Sequence, residues 1–169
     1  MSYRNKTYVA FASEDILSYR LMEAWRENKN IDFNFYDAHD LYEARDSSRP
    51  ETIKGNLRER MKNAKQIVLL GSPSAKKKGG DGASFLAYEL QIALEFNLPI
   101  VVAHLDKSRK GNGANYPKPL SDANHHTISV SFQPTIIKYA LDNYAPGFAS
   151  SAMTGERIYS ASVYTGLGL

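Results

Sequence analysis

Apolar residues along this chain switch repeatedly between two spacings, and each switch predicts a new element. The run "TYVAFA", residues 7 to 12, is short and rich in strand formers. It ends at Ser13, a good helix N-cap, after which Ile16, Leu17, Leu21, Met22 and Trp25 recur at helical intervals. Trp25 is read as core. "IDFNFYDA", 31 to 38, alternates Ile31, Phe33 and Phe35 as a half-buried strand does, and a second helix follows with Ser48 as cap and Pro50 in its first turn. "QIVLLGS", 66 to 72, and "LPIVVAHLD", 98 to 106, are continuous apolar runs of the kind that fill the centre of a parallel sheet. Between them lie a glycine-rich loop, "KKKGGDGA", and a helix capped by Ser84, "SFLAYELQIALEF". A long polar loop, 107 to 126, leads to "TISVSF", a short fifth strand, and to "PTIIKYALDNYA", a last helix with Pro134 near its start.

Strand and helix alternate strictly, which implies right-handed crossovers and a mostly parallel sheet covered on both faces. The expected class is α/β, a single doubly wound sheet of five strands. The domain is expected to occupy residues 1 to 144. Residues 145 to 169, rich in Gly, Ser, Ala and Tyr and without a clear period, are expected to pack as a tail on this domain or on a neighbouring copy.

Composition removes several function classes. At 169 residues the chain suits one domain with a proper core. Its 43% hydrophobic and 23% charged residues are those of an ordinary globular protein. No apolar run approaches the roughly 20 residues of a membrane span. The start, "MSYRNKTYVAF", lacks the apolar stretch and cleavage site of a secretory signal, so a cytoplasmic location without a membrane partner is expected. With no cysteine, disulfides and thiolate chemistry drop out. The four histidines, His39, His104, His125 and His126, lack the spacing of a metal pair, and no metal site is expected. A net charge of +3 gives no reason to expect nucleic acid. The lysines at 76 to 78 and within 106 to 118 are either solvated surface or loops near an anionic ligand.

In open sheets of this kind, ligands bind beyond the carboxyl ends of the strands, beside the point where strand order reverses. That rule selects Phe11, Ala12 and Ser13 after the first strand, Asp37, Ala38 and His39 after the second, and Gly71 to Ser74 after the third. The Ser84-capped helix starts above the same rim. It carries Glu89, whose neighbours three and four positions away are Phe85, Leu86, Ile92 and Ala93. One reading is that Glu89 meets water or complements the helix N-terminus, worth about 0.3 to 1 kcal/mol. The other is a carboxylate in a dry cleft wall, where low dielectric strengthens its attraction for positive charge developing on a substrate. One reaction suits such a lone carboxylate without metal or cysteine. It is the breaking of an N-glycosidic bond whose leaving group is already cationic, as nicotinamide is in NAD.

The blocks "YVAFASED", "FNFYDAHDLYEARD", "IVLLGSPS", "SFLAYELQIAL" and "LPIVVAHLD", in that order, resemble the TIR-like family. They are most similar to the stand-alone TIR-like proteins of bacterial Thoeris anti-phage defence. The resemblance spans about residues 7 to 106, and its most specific features are "YDA", "LLGS" and an aromatic-x-x-"YE" opening the next helix. It implies a TIR or flavodoxin-like fold and puts the family's catalytic glutamate on Glu89, with Phe85 where a tryptophan is common. It implies a substrate cleft at Phe11, Ala12 and Ser13 and at Asp37 and His39. It further implies an NAD glycohydrolase or cyclase that uses NAD as substrate, needs no cofactor, and makes an ADP-ribose-derived signal, cyclic or conjugated, for a downstream effector. The segment "LYEARDSSRP", 41 to 50, falls where TIR domains carry a loop for gating and self-assembly, so a homo-oligomer or filament is a further expectation; its charges suit plain solvation equally. By position in the loop after the fourth strand, Asn115 and Tyr116 are placed to close over the substrate.

Two other readings stay open. One is a non-catalytic interaction module, in which Glu89 is incidental. The other is a nucleoside deoxyribosyltransferase, which also sets a helical glutamate at a glycosidic carbon. A response-regulator receiver is disfavoured, because "LLGSPS" offers no aspartate at the end of the third strand.

Overall fold

The continuous apolar runs of the sequence form the middle of a single sheet. The computed structural model describes residues 6–34, 36, 37 and 49–169. One parallel sheet runs in the order β2-β1-β3-β4-β5-β6. Its strands are β1 (Lys6–Ala10), β2 (Tyr36–Asp37), β3 (Gln66–Gly71), β4 (Ile100–His104), β5 (Thr127–Ser131) and β6 (Glu156–Ile158). β3 and β4, buried at every residue, take the centre, as continuous apolar runs must when helices cover both faces. The chain steps from β1 to β2 on one side and then to β3, β4 and β5 on the other. The switch point therefore lies between β1 and β3.

Period-two alternation divides the core. Val9, Val68, Leu70, Val101, Ala103, Ile128 and Val130 join one cluster with residues of α1 (Ile16–Glu27), α6 (Pro134–Gly147) and α7 (Ala161–Gly166). Tyr8, Ala10, Ile67, Leu69, Ile100 and Val102 join the other with residues of α2 (Pro50–Met61), α3 (Pro73–Gly79), α4 (Phe85–Glu95) and α5 (Lys118–Asp122). The class is α/β with helices on both faces, and the five expected strands are present. A sixth, short edge strand from the tail extends them. Among the described residues no helix is long and apolar enough to cross a membrane.

The structure revises several local expectations. Ser13 opens a 3-10 turn, Ser13–Asp15, and neither it nor Asp15 caps α1 through its side chain. Leu17 and Leu21 lie on the exposed side of α1, which buries Tyr19 and Met22 instead. Trp25 is half-buried and packs against the core, edge-on to Phe33 and tilted against Phe132. Among the described residues the second strand is confined to β2, and Ile31 to Asn34 are not in a strand. Ser48 lies outside the described residues; α2 begins after Arg49, which gives no side-chain cap. The glycine-rich loop starts as a helix, α3, because Ser72 accepts the Ala75 N–H at 3.0 Å and Pro73 opens the first turn. A further helix, α5, interrupts the long polar loop.

The tail closes the far side. Tyr164 on α7 is fully buried, and its hydroxyl accepts the Ser131 N–H at 3.1 Å, just where β5 ends. The Arg109 guanidinium covers the ring at 4.5 Å, tying the loop after β4 to the tail.

Candidate functional site

The loop before α4 fixes the register of Glu89. Asp81 accepts the N–H groups of Ala83 and Ser84, both at 2.9 Å. Ser84 donates to the Lys78 carbonyl at 2.6 Å and accepts the Ala87 N–H at 3.2 Å, capping α4 as its sequence predicts. Gly79 lets the end of α3 approach closely, since a Cβ there would lie 2.9 Å from both Leu90 and Pro117. α4 is apolar nearly all round and is buried at seven of its eleven residues.

Glu89 is one of those seven, 4% exposed. Its Oε1 accepts the Tyr8 hydroxyl of β1 at 2.7 Å, and its Oε2 has no partner among the described residues. Burial pushes the carboxyl up to about 8, against the pull of the Tyr8 hydroxyl and the positive Arg60 on α2. Burial thus favours the protonated form, and ionisation would leave Oε2 able to accept a hydrogen bond or meet a cation. Of the two readings of Glu89, the one that pointed it to water does not hold.

The other predicted residues spread over the rim. Ala12 is buried in the same cluster as Tyr8, while Ser13 is exposed beside it. Phe11 stacks on Tyr19, ring centres 4.8 Å apart, and packs into the opposite cluster under α1. Phe85 opens α4 half-buried against the Tyr8 cluster. Asp37 ends β2 in register with Thr7. His39, and residues 41 to 48 of the proposed gating and assembly segment, lie outside the described residues.

Asn115 and Tyr116 correct an expectation. Neither is an exposed lid group: Asn115 is 2% exposed with its side-chain amide 3.3 Å from His104 Nδ1, and the Tyr116 hydroxyl bonds Thr127 at 2.7 Å. Asn115 is held inside by His104 at the end of β4, and Tyr116 by the polar face of β5, where Thr127, Ser129 and Ser131 alternate with the apolar Ile128 and Val130.

Sequence reasoning missed Tyr8 and Asp15; it selected Ser72 within residues 71 to 74 and Lys78 within the lysines at 76 to 78, but not the contacts that join them to the loop after β1. Ser72 donates to the Asp15 carboxylate, and Lys78 pairs with Glu14 at 2.9 Å, so the loops after β1 and β3 are tied together at the switch point. Burial raises Asp15, with Ser72 pulling the other way. A phenol inside a strand was the available signal for Tyr8, because a buried tyrosine hydroxyl needs a partner.

Two surface cavities lie elsewhere. One, of about 450 Å³, is lined by Lys76, Tyr116, Lys118, Asn124 and Glu156 among others. The other, of about 590 Å³, includes Lys62, Lys65, Phe96, Leu98 and Phe148. Neither includes Glu89. No group of three or more His, Asp or Glu among the described residues is arranged to hold a metal ion.

The family model described as "Thoeris protein ThsB, TIR-like domain" matches residues 8–110. That span runs from Tyr8 through β4 and contains both partners of the Tyr8–Glu89 bond. The chain belongs to the ThsB TIR-like family of the Thoeris system, with a role in anti-phage defence.

Proposed function

We propose that this chain breaks the bond between nicotinamide and ribose in NAD, with Glu89 as the catalytic carboxyl. The product is an ADP-ribose-derived signal, cyclic or conjugated, read by a downstream effector in the cytoplasm. The observation that supports this most is the state of Glu89: buried, bonded through one oxygen, and without a partner on the other. It sits on the helix to which the family resemblance assigns the catalytic glutamate. NAD enters as substrate, and no cofactor takes part in this reading.

The chemistry follows from the surround. A nicotinamide ring carries a positive charge, and bringing it near a dry carboxyl favours the ionised form, with the proton leaving to solvent. When the C–N bond breaks, its electron pair moves onto the ring nitrogen. Nicotinamide departs neutral and needs no acid. The positive charge passes to the ribose carbon and ring oxygen, where the Glu89 carboxylate stabilises it more than it stabilised the ground state. Capture by water gives ADP-ribose and a proton; capture by a nucleophile of the same molecule closes a ring. Ala12, Ser13, Asp37 and Phe85 belong to this reading as substrate contacts around the switch point, and the 41 to 50 segment as a self-assembly loop.

The test is nicotinamide release from NAD in extract of phage-infected cells, with mass spectrometry of the products. Glu89→Gln keeps the shape and removes the charge, so release should fall by about two orders of magnitude or more while the circular dichroism spectrum is unchanged. Intact NAD with the wild-type protein in that extract, or equal release by the variant, overturns the proposal.

A further inference from the structure

The bond from Tyr8 to Glu89 has more to do than fill a valence. The last torsion of a glutamate is broad, so a carboxyl in an apolar surround does not hold its two oxygens in fixed places by itself. Tyr8 supplies the missing constraint. It is fully buried on β1, a strand paired on both sides by β2 and β3, so its hydroxyl stands where the sheet puts it. A 2.7 Å bond from that hydroxyl leaves Oε1 engaged and Oε2 open.

We propose that Tyr8 is the positioning residue of this site: its hydroxyl anchors Oε1 of Glu89, so that Oε2 is the oxygen that meets the cationic ribose. This rests on the NAD-cleaving reading above. The same bond grows stronger when the carboxyl ionises, since an anionic acceptor strengthens an O–H donor. Tyr8 thereby lowers the cost of forming the working, charged state in a dry place. Arg60 on α2 also favours the ionised form, Lys54 of α2 lies over the ring of Tyr88, and Arg58 of α2 pairs with Glu95 further along α4. On α3 and α5, Lys78 is paired with Glu14 and Lys118 with Asp122. Among the described residues it is Tyr8 that donates a hydrogen bond to Glu89.

Two variants of the whole chain test this with opposite signs. Tyr8→Phe keeps the ring and removes the donor. 3-Fluorotyrosine placed at position 8 keeps the donor and makes it stronger. The titration of Glu89 is followed by carbon-13 NMR of side-chain-labelled glutamate, its resonance identified by its loss in Glu89→Gln. Tyr8→Phe should move the Glu89 midpoint upward by about one to two units, and fluorotyrosine should move it downward. The pH profile of kcat/KM for nicotinamide release should follow in the same directions, with release at neutral pH falling about tenfold or more in Tyr8→Phe. A merely structural tyrosine would move the melting temperature and leave the Glu89 midpoint where it was. A midpoint unchanged in the folded variants overturns the role of Tyr8. If Tyr8→Phe does not fold, the nearly isosteric fluorotyrosine variant decides alone. NAD left intact by wild type and variants alike overturns the proposed function and, with it, the role toward substrate, even where the titration moves.

Discussion

Glu89 on α4 and Asp106 just past β4 are acids near the same sheet, and the fold treats them in opposite ways. Asp106 is exposed and well supplied: its carboxylate accepts the Ser108 N–H at 3.0 Å and the Asn112 amide at 2.8 Å. What desolvation it feels pushes it up, yet the bonds from Asn112 and Ser108, with help from Asn115 and His104, hold it below the usual carboxylate range. Among the described residues Glu89 has one hydrogen-bond donor in an apolar surround, and burial wins, up to about 8. The comparison separates two uses of a carboxylate. An acid whose two oxygens are each answered by its own loop organises that loop. An acid left half-answered in a dry place keeps its interaction energy for something that arrives.

The sharpest way to break this comparison is the pH dependence of stability. Glu89 has a folded-state pKa raised to about 8 from 4.5, so between those values the folded chain binds more protons than the unfolded one. Its contribution is fully present below pH 4.5 and is lost as pH rises through about 8, a change on the order of a few kcal/mol. Glu89→Gln cannot ionise and should lack this decline, becoming the more stable protein at pH 9. Denaturant unfolding of both proteins at pH 5 and pH 9 checks it; parallel profiles would mean that Glu89 is not desolvated in the folded chain.

A smaller effect is expected where the tail supports the Asp106 side. Tyr164→Phe leaves the Ser131 N–H buried without its acceptor and should cost about 1 to 3 kcal/mol. Because the tail also carries the ring under Arg109, the loss should appear as faster amide exchange in the loop after β4 and in β5, with α4 unaffected. Exchange that speeds up uniformly across the sheet would show that the tail is not a local clasp.

Much of the architecture was legible because burial leaves a mark on sequence. β3 and β4 are apolar without interruption, and β5 alternates Ile128 and Val130 with hydroxyl residues. Glu89 was visible for the same reason, as one charge among apolar neighbours at helical spacing. Its partner was not. Tyr8 is 81 positions away, and no local pattern pairs residues at that distance. α3 was lost to its lysines and glycines, although Ser72 followed by Pro73 was a usable start signal. The fate of Asn115 was hidden because it depends on His104, a polar residue that ends a buried strand and draws a loop amide inward. β6 is three exposed residues held by backbone pairing with β5 and by the Ser129 hydroxyl donating to Glu156, neither of which side-chain periodicity encodes.

Asp106→Asn gives the finest test, because it asks for almost nothing to happen. The variant keeps an acceptor for the Ser108 N–H and loses the charge that drew Asn112. Since Asp106 is exposed, solvent screening limits the cost at pH 7 to a few tenths of a kcal/mol. Its sign with pH is the reverse of that for Glu89. A carboxylate held below its ordinary value of 3.8 contributes stability above that value and loses it as pH falls through the lower folded-state value. The wild type should therefore show a slight extra loss below about pH 4 that the variant lacks, measured by acid titration of the circular dichroism signal. Nicotinamide release should be the same in both proteins. If release collapsed in Asp106→Asn with the fold intact, the well-bonded acid would be the chemically active one, and the division of labour between the two carboxyls would be the wrong way round.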